Sequence, residues 1–282
     1  MSAHWNPATD RTTPPAAFGL TDEQATEPLS ITRLEFDVLW ETLGLGEMPL
    51  VLKVPSPGRT HAERRQLTEN AWHAMETRGL GRGSAEYDRL VGLVRLLARP
   101  EREIDGRLWF GRRIGNLRAL VAASGSDAAL ATLDPAGFTL REAAATGLAR
   151  EALTALPASA AGSGESVTVP SRHLEAAAAS ASTPVEFETA LRNGGVRPRD
   201  AATLAAMMMR IRRHGQFGVA TRDRWGHRVR APRVLSVFDT REGRYLQTRT
   251  TDPNTEPWTT VSPADPRLLL HQLDDLLNDQ PH

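Results

Sequence analysis

Cysteine is absent from the 282-residue chain. That excludes disulfides and thiolate metal sites, and it suits a protein of the reducing cytoplasm, the location expected here. Long hydrophobic runs are missing too. None approaches the roughly 18 apolar residues a membrane-spanning helix needs, so no membrane insertion is expected. No positively charged start leads into an apolar stretch, so no signal peptide is expected. Aromatic residues make up only 5% of the chain and the formal net charge is zero, which argues against a broad cationic, base-stacking surface. Lysine occurs once, as Lys53, and every other base is Arg. With the heavy use of Ala, this points to a GC-rich genome rather than to a chemical requirement.

Familiar catalytic patterns are also missing. The eight His form no i, i+4 pair around a carboxylate, and no G-x-S-x-G elbow occurs. RGLGRGS (78–84) alternates glycines. It follows a helix rather than a strand and lacks the G-K-[ST] of a phosphate loop, so it reads as a helix–helix connection. Asp274 and Asp275 are neighbours on a helix and point in different directions, as solvated charges do. No catalytic, cofactor or metal site is expected, and the chain does not read as an enzyme.

What is present is an ordinary core-forming composition, 40% hydrophobic and 24% charged, enough for one large domain or two halves. The charges are unevenly placed. Residues 210–233 hold eight Arg and one Asp, whereas residues 22–47 hold seven acids and Arg33 alone. A neutral but polarised molecule favours docking to a charged partner or pairing of its own ends.

Residues 1–28, polar and Pro-rich, read as a loose tail. Thr32 and Glu35 form a capping box for a helix to about Leu43; Thr60 and Glu63 repeat it for a helix ending near Gly79. VLKV (51–54) between them reads as a strand closed by Pro55. Ser84 caps a helix carrying Leu90, Leu93, Val94 and Leu97. Four strands are expected next, the first alternating through Ile104 and Leu108 toward a hairpin at Gly111, the others at 114–123, 127–133 and 137–144. Residues 146–156 look helical, and PASAAGSGE (157–165) is a linker by composition. The order then restarts: SVTVP as a strand, helices at 171–181, from Thr183 to Gly194, and over 199–213 with Leu204, Met208 and Ile211 on one face. Strands follow at 215–223, 228–238, 243–250 and 257–261, then a helix from Asp265 through Leu269, Leu273, Leu276 and Leu277.

Both halves, 29–156 and 166–282, thus read strand, helices, four strands, helix. VLKVPS (51–56) and SVTVPS (166–171) lie 115 positions apart, and the same shift puts Gly111 on Gly226, Arg113 on Arg228 and Leu120 on Leu235. The expectation is an α+β protein: a pseudo-two-fold duplicated fold with a central antiparallel sheet flanked by helical bundles.

Two stretches point to binding. RIRRHGQFGVATRDRWGHRVRAPR (210–233) is either a cationic hairpin with Trp225 at its tip, open to nucleic acid, or a solvated hairpin, or a protein-docking surface rich in Arg and Trp. In MMM (207–209), Met207 and Met208 fit the core stripe. Met209 falls about 100° away and suits either core filling or an adaptable grip on a partner helix.

The blocks FDVLWETLGLG and RAPRVLSVFDTREGRYL, with WTTVSPAD and a terminal leucine helix after them, resemble the EspG family of ESX (type VII) secretion-associated proteins over about residues 29–278. The resemblance implies the α+β architecture just reached. It also implies a cytosolic chaperone that masks the apolar helical tip of a PPE subunit in a PE–PPE heterodimer, using its sheet and C-terminal bundle. Another helical secretion substrate is the variant reading, a homodimer is expected as a form without client, and nucleic acid is not expected as a partner. No contact residue follows from a family motif. On physical grounds Trp225, Arg228, Arg230 and Phe238 are expected at the docking surface, with Met209 on the adjoining bundle. Alternation puts Arg228, Arg230 and Phe238 on one face unless Pro232 interrupts the strand. The competing function is a nucleic-acid-binding regulator using the hairpin 210–233.

Overall fold

Helix starts are set by short-range chemistry, and here they form where the caps fall. The computed structural model describes residues 27–250 and 256–279. The expectation for the 1–28 tail lies, but for residues 27–28, outside the described residues. Helices α1 (Arg33–Thr42) and α2 (His61–Thr77) both start from complete capping boxes, Thr32 with Glu35 and Thr60 with Glu63. Ser84 caps α3 (Ala85–Ala98) through the Tyr87 amide. A 3-10 turn at Ala145–Gly147 leads into α4 (Leu148–Leu153). In the second half come α5 (Ser171–Ser180), α6 (Pro184–Asn193), α7 (Pro198–Met208) and α8 (Pro266–Asn278). Pro stands in the first turn of the last three, where its missing N–H has no helical partner to lose.

The strands are β1 (Leu29–Ile31), β2 (Arg102–Trp109), β3 (Asn116–Ser124), β4 (Asp127–Leu133), β5 (Phe138–Glu142), β6 (Val167–Pro170), β7 (Arg213–Arg222), β8 (Arg228–Arg230), β9 (Leu235–Asp239), β10 (Arg244–Arg249) and β11 (Trp258–Pro263). They join one antiparallel sheet in the order β1-β5-β4-β3-β2-β7-β9-β10-β11-β6, with β8 paired to β7 beside β9. The halves meet at the centre, where β2 pairs β7 from Arg102↔Thr221 to Trp109↔His214.

Each half contributes an edge strand, three helices, a run of sheet strands and a closing helix, but the run has four strands in the first half (β2–β5) and five in the second (β7–β11), the extra one being β8. The 115-residue offset does not run through this arrangement. It is shorter between the strands starting at Arg102 and Arg213, and longer between the edge strands Leu29–Ile31 and Val167–Pro170. VLKV is not a strand. Leu52 N–H closes a turn on the Pro49 carbonyl (2.9 Å), and Arg118 Nη1 takes the Lys53 carbonyl (3.0 Å). Val51, Leu52 and Val54 instead plug the core under α1 and α3. The sheet edge goes to β1, whose Leu29 and Ile31 face inward.

Alternation divides the sheet into two faces. On one, Ile104, Leu108, Val121, Phe217, Val219, Leu235 and Val237 meet α4 and α8 in a core shared by both halves. On the other, α1–α3 cover the β3–β5 side, with Phe36 stacked on Phe138 at 3.9 Å. There α5–α7 cover the β6 and β11 side, packing around Phe238, Tyr245 and Val261. The 157–165 segment is tied down: Arg244 N–H donates to the Ala160 carbonyl, and Tyr245 Oη to the Ser163 carbonyl (3.0 Å). Helix α7 stops at Met208 because Met209 turns to an extended conformation (φ −85°, ψ 148°), and Arg210 follows with a left-handed φ of 64°. Ile211 therefore leaves the expected helical stripe and is 39% exposed.

Candidate partner-binding surface

Between the two helical layers the central strands are left open. A trough of about 610 Å³ runs over β2 and β7, with Glu103, Asp105, Arg228 and Arg230 on its floor and Leu50 and Val234 on its rim. Its chemistry follows from β-alternation. Glu103, Asp105 and Arg107 share one side of β2, and Ile104 and Leu108 share the other. Glu103 and Asp105 are buried, so each charge requires a partner.

Both partners come from β8. Arg228 Nε donates to Glu103 Oε1 at 2.8 Å, and its Nη2 approaches the same oxygen. Arg230 Nη1 and Nη2 grip the two Asp105 oxygens. The hydrogen bond to Asp105 holds the Arg230 guanidinium above its ordinary value, against the opposing effect of burial. Arg230 has to cross β7 to get there, and it does so over Gly218; a Cβ at that position would overlap the guanidinium.

The hairpin itself is set by its turn. Asp223 Oδ1 accepts from the Trp225 (2.9 Å) and His227 (2.8 Å) amides, and Gly226 takes a φ of 81°. These contacts hold the Asp223 carboxyl below its ordinary value, outweighing desolvation. Trp225 stands at the tip, 67% exposed, with the Arg224 guanidinium 4.0 Å over its ring. Pro232 does break the strand, between β8 and β9. Phe238 nonetheless keeps the face of Arg228 and Arg230, but it lies in the core beneath α5–α7, stacked on Tyr245 at 5.4 Å. Met209 is partly buried against the same cluster and lines a separate groove of about 400 Å³ with Val185, Ala206 and Arg241.

The structure thus brings Arg228 and Arg230 together on an open surface, puts Trp225 at the adjoining tip and Met209 on the second bundle, and buries Phe238. Sequence reasoning missed Glu103 and Asp105, although acids on the inward-facing side of an alternating strand were the available signal. It also missed Leu50, 71% exposed at the trough's rim. Four of the eight arginines in 210–233 are in ion pairs: Arg213 with Asp239, Arg228 with Glu103, Arg230 with Asp105 and Arg233 with Asp279. Among the described residues no group of three or more His, Asp or Glu could hold a metal ion. Nor is any helix there long and apolar enough to cross a membrane.

The curated proteins contain no match to the chain. Among solved structures it is similar to the Mycobacterium tuberculosis type VII secretion system chaperone EspG5, seen in complex with the PE25–PPE41 dimer. Identity is 16% and the TM-score 0.69, over 91% of this chain and 98% of that one. The model of the EspG family matches residues 32–275. The chain, spanned nearly from end to end by that match, belongs to the EspG family.

Proposed function

We propose that this protein is a cytoplasmic type VII secretion chaperone that docks the apolar helical tip of a PE–PPE-type heterodimer, or of another helical secretion substrate, before export. Family membership supports the class, and the fold-level likeness to a chaperone seen with a PE–PPE dimer supports the client. The observation that carries the reading is the trough: an unroofed stretch of central sheet between two helical layers, with a charged floor and the exposed Leu50 on its rim. Burial of an apolar tip there contributes on the order of 25 cal/mol per Å² before the costs of association are subtracted. Polar groups at the rim then select the client.

The floor restricts how this is tested. Reversing Arg228 or Arg230 would strand the buried Glu103 and Asp105, so it disturbs the fold as well as docking. Leu50→Asp and Trp225→Ala change exposed side chains and isolate docking. Co-purification of each variant with a co-expressed PE–PPE pair from the same genome is the experiment. Retained yield of complex in both would remove the trough and hairpin tip from the interface. The nucleic-acid reading loses ground because half of the hairpin's arginines already meet carboxylates.

A further inference from the structure

The trough's arginines at Glu103 and Asp105 are neutralised; three others nearby are not. Arg107 on β2 and Arg118 on β3 are directly opposite in the antiparallel register, on the same face. Like charges in that position repel. Arg33, the first residue of α1, lines the same cleft, a space of about 710 Å³ whose lining includes no Asp or Glu. Among the described residues none of the three has a carboxylate partner. Arg33 Nη2 donates to the Asp134 carbonyl at 2.7 Å, and Arg118 Nη1 to the Lys53 carbonyl. The Asp134 carboxylate is turned away, accepting from the Ala136 (2.7 Å) and Gly137 (3.2 Å) amides. Burial first, then repulsion from Arg33 and Arg107, lowers the Arg118 pKa. Trp109 and His214, stacked 5.1 Å apart across β2 and β7, form an aromatic wall of the cleft.

The two carbonyl contacts hold Arg33 and Arg118 in place but supply no counter-charge. Surface arginines are usually dispersed or paired, and here they converge on one concave space with their Coulomb energy unrelieved. Arg107 also lines the trough, so the cleft continues from it.

We infer that the Arg33–Arg107–Arg118 cleft is an acidic-segment site, taking Asp or Glu side chains of the docked protein between Arg107 and Arg118, with the neighbouring residue against Trp109. Guanidinium groups bind carboxylates through paired, charge-assisted hydrogen bonds, and a partner acid would supply the counter-charge this cleft lacks. The inference deepens the docking reading and rests on it for the identity of the partner. Its test uses no client, so its failure would leave client capture standing.

The probe is a fluorescein-labelled glutamate-rich peptide, titrated by anisotropy against the full chain. Its glutamine counterpart and a single-stranded DNA of similar length serve as competitors. The glutamate peptide is expected to bind at least about tenfold more tightly than the glutamine peptide, with an advantage that shrinks as salt rises. The Arg107→Gln, Arg118→Gln double variant should lose that advantage, while Arg192→Gln, far away on α6, should keep it. Thermal melts accompany the binding and establish that the double variant is folded at the assay temperature, because Arg118→Gln also removes the hydrogen bond to the Lys53 carbonyl. Equal binding of the two peptides, tighter binding of DNA, or an undiminished glutamate preference in the folded double variant would each overturn the inference.

Discussion

Arg230 reaches Asp105 across an intervening strand, because β7 offers Gly218 at the crossing point. Three strands are thereby tied by one side chain. The pair fixes β8, only three residues long, to the centre of the sheet. The floor of the trough is thus built from both halves of the chain.

That crossing leaves no space for a methyl group at residue 218. Gly218→Ala should push Arg230 off Asp105 and expose a buried, unpaired carboxylate, destabilising the protein by about 2 kcal/mol. Chemical denaturation measures this; an unchanged midpoint would mean that the ion pair shifts without loss.

The pair is also expected to be coupled. Arg230→Ala alone should cost about 2–3 kcal/mol by leaving the Asp105 charge buried. Arg230→Ala with Asp105→Ala should cost clearly less than the sum of the single changes. Additive losses in the double-mutant cycle would contradict the coupling.

Arg89 joins α3 to β5 by a two-pronged grip on Glu142, with both contacts at 2.6 Å. The hydrogen bond from Arg89 holds the Glu142 carboxyl below its ordinary value of 4.5. A carboxyl depressed by folding stabilises the fold above the unfolded value, and that contribution disappears as pH falls through the folded value. Glu142→Gln should therefore be less stable than wild type at neutral pH, by about 0.5–1 kcal/mol for a partly exposed pair. The gap should close in acid. A gap that persists unchanged to about pH 3 would contradict this assignment.

The Thr221 hydroxyl is buried and has no hydrogen-bond partner among the described residues. Thr221→Val removes that hydroxyl at nearly constant volume. It should leave stability unchanged or raise it by up to about 1 kcal/mol. A loss of that size in a thermal melt would reveal a bond that the Thr hydroxyl makes in solution.

Local chemistry was legible in the sequence. The two capping boxes, the proline-led starts of α6 and α8 and the glycine turns at Gly111 and Gly226 are decided by residues within a few positions of one another. Long-range choices were not. Nothing in VLKV says that the sheet edge goes to Leu29–Ile31 instead, because the edge is fixed by pairing with β5 more than a hundred residues away. Three residues are also too few for alternation to register. The end of α7 was hidden because no glycine marks the left-handed Arg210. At the candidate site, Arg228, Arg230 and Phe238 share a face as expected, but on two strands rather than one, each paired separately with β7 on either side of the break at Pro232. Parity gives a face and not its cover, so the burial of Phe238 under α5–α7 was beyond it. Glu103 and Asp105 stayed unassigned because their partners lie 125 residues away on a strand of three residues.

The central claim is that the open sheet between the two helical layers holds a helical client. Its most direct measurement is size-exclusion chromatography with light scattering on the full chain co-expressed with a PE–PPE pair from its own genome. The account gives one peak at the mass of the three chains together, with Leu50→Asp shifting the population to separate peaks. Separate peaks for the unmodified chain and the pair, or a complex indifferent to Leu50→Asp and Trp225→Ala alike, would contradict it.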